Sequence, residues 1–152
     1  MRNNTAAEAK KYPFVEDERA LDEFFRQWQR GTLPKPCWTH AAHVAVAACL
    51  AHEYAPGAAL ELTRTGIIHY NKCVGTENTA NNGYHETLTR FWANTIGELV
   101  RGGKFASRLE AVRAAVERFG EARGYHQRYY SFDVLGDLRA RREWVAPDRE
   151  PS

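Results

Sequence analysis

The sequence predicts an all-α fold, a single-domain bundle of five or six helices. Apolar side chains recur every three to four residues along most of the chain, which is the period of an amphipathic helix. No segment alternates apolar and polar residues as a half-buried strand does. With 152 residues, the chain is long enough to bury one core without disulfides or a structural metal. We therefore treat residues 1–152 as one domain and expect loosely packed tails at 1–15 and 146–152.

The first predicted helix begins after Asp17 and ends at Gly31. An aspartate accepts hydrogen bonds from the free amide groups at a helix start, and a glycine adopts the left-handed conformation that closes a helix. The stripe that should face the core consists of four apolar residues spaced by three, one and three positions: Leu21, Phe24, Phe25 and Trp28.

The second predicted helix runs from His40 to about Tyr54, with Thr39 as its N-cap. It is apolar on nearly every side, so we expect it at the centre of the bundle. Pro56 suits the first turn of a third helix that continues to about Lys72.

The 74–83 stretch is the one long loop that the sequence predicts, because it is rich in Asn, Thr and Gly. A fourth helix should begin near Tyr84 and run to about Val100, with Gly102 and Gly103 as its stop. We interpret the loop as a mobile lid, since long loops beside a site often control access to it.

The sequence after the fourth helix predicts a fifth helix and a shorter helical piece. Ser107 and Glu110 form a capping box that opens the fifth helix. An aromatic segment over 125–131 follows, and then a last helical piece over about 134–142. No internal repeat and no heptad pattern is present.

Charge and composition exclude several classes of function. The chain carries 21 basic and 19 acidic residues for a net charge of +2, so we expect no nucleic-acid partner. A small basic cluster at Arg139, Arg141 and Arg142 is interpreted as the solvated end of a helix. The sequence does not determine the oligomeric state.

We also expect a cytoplasmic protein without membrane association. The longest apolar run, residues 41–51, is too short to cross a bilayer, and the first eleven residues lack the apolar core of a signal peptide. The three cysteines, Cys37, Cys49 and Cys73, include no C-x-x-C pair and are predicted to be reduced thiols.

Two histidine motifs are the strongest functional signal in the sequence. W-T-H-A-A-H spans residues 38–43, and G-Y-H-E-T spans residues 83–87. His40 and His43 lie about 60° apart on one helix face, and His85 falls on the inner face of the fourth helix. Helices two and four are separated by one helix, so an up-down bundle would bring their first turns to the same end.

These residues predict a mononuclear divalent-metal site made of His40, His43 and His85, with Glu86 as a further ligand or a general base. Helix N-termini disfavour imidazolium and so keep histidine in the neutral form that a metal requires. The metal would be Zn, Fe, Mn or Ni, and the protein a small metalloenzyme with hydrolytic or oxygen chemistry acting on a small molecule.

Simpler interpretations of the same residues stay open. Glu86 is also a common helix-capping residue, and His40 alone is satisfied by one local hydrogen bond. The alternative function is a metal-free helical module that binds a small molecule or a partner protein. A nucleophilic role for Cys37 beside His40 is the weakest possibility, because no orienting acid is identifiable.

Five further residues are predicted to surround the site. They lie at the ends of helices three and four that should face it: Tyr70, Asn71, Tyr84, Trp92 and His69, the last as a fourth ligand or as a partner of a ligand. His126 is interpreted as a surface or packing residue.

The two motifs also carry a resemblance. Together with R-x-x-W-V-x-P-D over residues 141–148, they resemble a family of small bacterial helical proteins of unknown function. The matching stretches frame most of the domain, and the resemblance implies a shared histidine site without any particular chemistry. The tail departs from the pattern after Asp148, where polar residues replace the expected apolar ones.

Overall fold

The computed structural model describes residues 12–151. Within these residues, six α-helices form the bundle: α1 (Glu18–Arg30), α2 (His40–Glu53), α3 (Pro56–Cys73), α4 (Glu86–Gly103), α5 (Arg108–Phe119) and α6 (Leu138–Arg142). Three short 3-10 segments cover Pro13–Val15, Lys35–Cys37 and Tyr125–Tyr129. The described residues contain no β-strand, and the single isolated bridge joins Thr79 and Asn82. The predicted all-α single-domain bundle is therefore confirmed.

Most helix ends form as the sequence predicts. The Asp17 carboxylate accepts a hydrogen bond from the Ala20 amide at 2.8 Å, and the Thr39 hydroxyl accepts one from the Ala42 amide at 3.2 Å. Gly31 closes α1 with a φ angle of +76°. These caps satisfy amide and carbonyl groups that have no partner inside the helix.

Helix α2 lies at the centre of the bundle and packs against α3, α4 and α5. It is rich in alanine, and residues 44–51 are all buried. Small side chains let neighbouring helices approach the central one closely, which favours dense packing of the core. The amphipathic helices around it turn their larger apolar side chains towards it, among them Leu21, Trp28, Ile96 and Val112.

Helix α4 differs from its predicted limits at both ends. It begins at Glu86, so His85 is the N-cap rather than a first-turn residue. The prediction that Gly102 and Gly103 stop the helix is wrong, because both lie in its last turn. The helix ends at Gly103, and its C-cap Lys104 adopts the left-handed conformation with φ +51°.

Both ends of the described chain are tied to the bundle. Val15 is buried, and the Phe14 ring stacks on Phe24 with 4.5 Å between ring centroids. Near the C-terminus, the Asp148 carboxylate accepts a hydrogen bond from the Ser131 amide at 2.8 Å. Residues 12–15 are therefore packed; the rest of the predicted N-terminal tail, residues 1–11, lies outside the described residues.

The last helical piece is shorter than predicted. Residues 134–136 form a turn, and the helix itself starts only at Leu138, capped by Asp137. No helix within residues 12–151 combines the length and hydropathy needed to span a membrane.

Candidate functional site

A cavity of about 430 Å³ opens where α2, α3 and α4 meet the chain segment that follows α5. We call it the histidine cavity, because four of the six histidines line it: His40, His43, His85 and His126. Three aromatic rings complete much of its wall: Trp38, Tyr84 and Trp92. Both predicted motifs therefore contribute to one cavity.

His43 presents a hydrogen-bond acceptor to this cavity. Its Nδ1 atom lies 2.8 Å from the Thr39 carbonyl oxygen, and since a carbonyl only accepts, Nδ1 carries the hydrogen and Nε2 keeps its lone pair. The ring stacks on Trp38 with 3.8 Å between centroids. Burial lowers the pKa of His43 to about 4, despite the Thr39 hydrogen bond, so the imidazole is neutral near pH 7.

His40 is held in the opposite tautomer. Its Nε2 atom donates to the Phe119 carbonyl oxygen at 3.0 Å, which leaves Nδ1 as the acceptor. The edge of the ring meets Trp92 at 4.9 Å between centroids. Burial is the main cause that lowers the pKa of His40, and the positive charge of Arg123 adds to it.

His85 uses both of its ring nitrogens within the protein. Nδ1 accepts a hydrogen bond from the Leu88 amide at 3.2 Å and so caps α4, while Nε2 donates to the Val134 carbonyl oxygen at 2.9 Å. Burial lowers the pKa of this side chain as well. His85 therefore ties the start of α4 to the turn before α6, and a metal bound by this ring would have to replace one of the two hydrogen bonds.

No three His, Cys, Asp or Glu side chains within residues 12–151 are placed to hold one metal ion together. The three-histidine metal site consequently stays a prediction, with His40 and His43 better placed than His85 to offer a free nitrogen.

Glu86 lies outside the lining of the histidine cavity and is bonded to Arg64. Its two carboxylate oxygens accept hydrogen bonds from the Arg64 guanidinium at 2.8 and 2.6 Å, and the Tyr84 hydroxyl donates to the same carboxylate at 2.6 Å. The Arg64 hydrogen bonds lower the pKa of Glu86, so it is ionised. This arrangement fixes the Tyr84 ring in the cavity wall, and a general-base role for Glu86 would require leaving Arg64.

The five predicted surrounding residues divide into two groups. Asn71, Tyr84 and Trp92 line the cavity. Tyr70 lies behind the wall, where its buried hydroxyl donates to the Leu33 carbonyl oxygen at 2.7 Å. His69 is exposed on α3, with Nε2 at 3.5 Å from the Cys73 sulfur.

The predicted loop closes one side of the cavity through Thr76 and Gly83. Asn78 anchors the loop, because its side-chain oxygen accepts hydrogen bonds from the Asn71 amide group at 2.9 Å and from the Tyr84 backbone amide at 3.0 Å. Gly83 has φ +78°, and a β-carbon there would lie 2.4 Å from a backbone oxygen of the loop. The loop is thus tightly folded onto α3, and its role as a lid stays a prediction.

Sequence reasoning missed several lining residues, among them Thr63, Arg123 and His126. Thr63 occupies an inward position of α3, while Arg123 and His126 belong to the irregular segment after α5, where no periodicity indicates which side chains face inward. Among the described residues that line the cavity, none is Asp or Glu, and Arg123 is the one Lys or Arg.

No protein-family model matches the chain, and comparisons with curated proteins and with solved structures find no significant match. The resemblance drawn from the two histidine motifs therefore stays a prediction, and the function is argued from the cavity alone.

Proposed function

We propose that the chain binds a small organic molecule in the histidine cavity without a metal ion, and that His43 accepts a hydrogen bond from that molecule. The observation that carries the proposal is the neutral His43 ring, fixed against Thr39 and Trp38, in the wall of a cavity of about 430 Å³. This volume falls within the range of about 300–1,000 Å³ that is common for small-molecule sites.

The wall chemistry favours a planar ligand with a hydrogen-bond donor. Trp38 and Trp92 offer aromatic surface for an apolar ring, and aromatic pairs gain energy beyond the burial of their area. The Nε2 atom of His43 and the Nδ1 atom of His40 offer lone pairs, so a phenol, hydroxyl or N–H group on the ligand would satisfy them. A phenol is the simplest molecule that combines both features.

Charge argues against a resident divalent cation. The positive Arg123 side chain borders the cavity, no carboxylate lines it, and Glu86 is neutralised by Arg64. A divalent cation bound there would be repelled by the guanidinium, and no carboxylate in the described lining would offset that repulsion. A neutral or anionic organic ligand meets no such penalty.

The test compares two probes that differ by one hydroxyl, 2-(4-hydroxyphenyl)ethanol and 2-phenylethanol, titrated by calorimetry to about 10 mM, where millimolar affinity is measurable. We expect the phenol to bind about 2- to 10-fold more tightly than 2-phenylethanol, because one neutral hydrogen bond changes a dissociation constant by about that factor. His43→Phe keeps a ring on Trp38 but removes the acceptor, so it should abolish this preference. His69→Phe, on the exposed face of α3, is the matched control and should retain it.

Two results would overturn the proposal. One is the absence of any heat or cavity-residue NMR shift with either probe. The other is an unchanged preference for the phenol in His43→Phe, which would mean that the hydroxyl is recognised elsewhere.

A second candidate is the metalloenzyme that the histidine motifs predict, with a divalent Zn, Fe, Mn or Ni ion. One observation favours it: His40 and His43 each donate one ring N–H to a backbone carbonyl, which is how metal-binding histidines are usually oriented. The ion would bind the remaining nitrogens of these two rings and of a released His85. When bound, it would supply a Lewis acid for hydrolytic or oxygen chemistry, and Glu86, once released from Arg64, would act as a further ligand or as a general base.

Elemental analysis of protein purified without a polyhistidine tag separates the two candidates. Near-stoichiometric metal that is lost in both His43→Phe and His85→Asn would support the metalloenzyme. Asparagine is a good helix cap, so His85→Asn keeps the cap of α4 while removing the imidazole. Metal-free protein after metal-replete expression supports the organic ligand.

A further inference from the structure

Arg123 is an exposed, positively charged residue at the edge of the histidine cavity. It lies four residues after the end of α5, is exposed, and lines both this cavity and an adjacent apolar groove of about 690 Å³. Its guanidinium forms no hydrogen bond or ion pair with any residue in the described part of the chain.

Other arginines around the cavity have structural partners. Arg64 binds the Glu86 carboxylate, and Arg141 donates to the Gly83 carbonyl oxygen at 2.8 Å to hold the loop against α6. Neither of these side chains lines the cavity. Arg123 differs from both, since its planar set of N–H donors is free to bind a carboxylate in two-point fashion.

We propose that the ligand of the histidine cavity is an organic acid whose carboxylate or similar anionic group pairs with Arg123 while its hydrogen-bond donor meets His43. This inference rests on the proposed function and adds the charge and orientation of the ligand. The ligand class is an aromatic hydroxy acid: an anionic group at the edge, an aromatic ring beside Trp38 and Trp92, and a hydroxyl at the inner end.

The electrostatics of the site agree with this orientation. Burial is the first cause of the lowered pKa of His40 and His43, and the Arg123 charge adds to it in both, so the guanidinium lies within electrostatic range of both rings. With no carboxylate in the lining, the anionic group of a ligand would supply the negative charge that the described cavity residues lack.

The experiment uses three probes with the same phenol ring: 4-hydroxyphenylacetate, 2-(4-hydroxyphenyl)ethanol and tyramine. In the native chain we expect the acid to bind about fivefold more tightly than the alcohol. The factor is small because an exposed ion pair contributes little binding energy. The cationic amine should bind most weakly. The advantage of the acid should shrink as salt is raised, since salt screens an exposed pair.

Arg123→Gln should remove the preference for the acid and leave the affinity of the alcohol unchanged. Arg30→Gln is the matched control, because Arg30 is also an exposed arginine but stands at the end of α1, outside the cavity lining. It should retain the preference of the native chain.

Equal affinity for the acid and the alcohol in the native chain, or a preserved preference in Arg123→Gln, would overturn this inference while the proposed function stands. If none of the three probes binds, the proposed binding site is wrong and the inference is wrong with it. Tighter binding of tyramine than of the acid would also contradict the assigned charge.

Discussion

Both ends of helix α2 contain several alanines, but the two ends differ in how they are packed. Residues 44–51, which we call the closed end, are all buried against α3, α4 and α5, and Ala47 is the one among them that also reaches the cavity. Residues 39–43, the open end, carry two imidazoles that are only half-buried and border a cavity of about 430 Å³. One helix therefore passes from tightly packed core to binding wall within a single turn.

The two ends differ in that the polar side chains of the open end are hydrogen-bonded to backbone carbonyls rather than to one another. At the closed end, alanines allow neighbouring helices to approach closely. At the open end, His40 and His43 are held by carbonyl groups of Phe119 and Thr39, which fixes the rings without filling the space between the helices. The cavity is what remains between these fixed rings and α4.

Lowering the pH should reduce the free energy of unfolding through the open end of α2, and this is the largest effect that we expect. The pKa of His43 is about 4 in the folded chain, against an ordinary value of 6.5. Between these values the unfolded chain binds more protons, so the free energy of unfolding should fall as the pH drops from about 6.5 to about 4, by about 3 kcal/mol from this group. Urea unfolding at pH 7.5 and pH 4.5 measures the loss.

His43→Phe separates this effect from ordinary acid denaturation, because phenylalanine does not titrate. The variant should lose about 3 kcal/mol less than the native chain between the two pH values. The lowered pKa values of His40, His85 and His126 act in the same direction and stay in both proteins. Identical pH dependence of the two proteins would contradict the account of His43.

Two neighbouring alanines on α2 give the next largest contrast. Ala48 is fully buried in the closed end, whereas Ala47 lines the cavity. Ala48→Leu should lower the free energy of unfolding by about 2 kcal/mol through overpacking, and Ala47→Leu by less than about 1 kcal/mol. Only Ala47→Leu should weaken binding of the phenol probe, because its side chain enters the cavity. Equal destabilisation by both would mean that the cavity cannot accept added atoms.

The ion pair behind Tyr84 gives a smaller effect. The Arg64 and Glu86 side chains are 27% and 14% exposed, so Glu86→Gln should cost about 1–2 kcal/mol by leaving Arg64 without its two-point partner. Glu61 also contacts Arg64 but is 60% exposed, and Glu61→Gln should cost less than about 0.5 kcal/mol. Urea unfolding of both variants measures this difference, and equal costs would contradict a structural role for Glu86.

The helices were predictable because their signals are local. The stripe of Leu21, Phe24 and Trp28 and the caps at Asp17 and Thr39 each depend on residues within two turns of one another, and the structure follows them closely. The predicted stop at Gly102 and Gly103 was wrong because glycine can occupy the last turn of a helix. The residue in the left-handed conformation is Lys104 instead.

The histidine site was harder to predict because its partners are distant in sequence. His85 became an N-cap, a position that Ser, Thr, Asp and Asn normally occupy, and its second bond reaches Val134, 49 residues away. Glu86 meets Arg64 across 22 residues, which no local pattern indicates. Side-chain periodicity predicts which face of a helix is buried but not which groups meet there.

We infer that these histidines are neutral and are held by backbone carbonyls around a metal-free cavity. Nitrogen NMR of the imidazole rings at pH 7 is the most direct test of this inference. The account predicts neutral rings with the hydrogen on Nδ1 of His43 and on Nε2 of His40 and His85, because each of those atoms faces a carbonyl oxygen. Adding one equivalent of Zn²⁺ should leave both nitrogen shifts of His85 unchanged. A metal-induced shift of a His85 nitrogen together with those of His40 and His43 would contradict the account and establish the three-histidine metal site in its place.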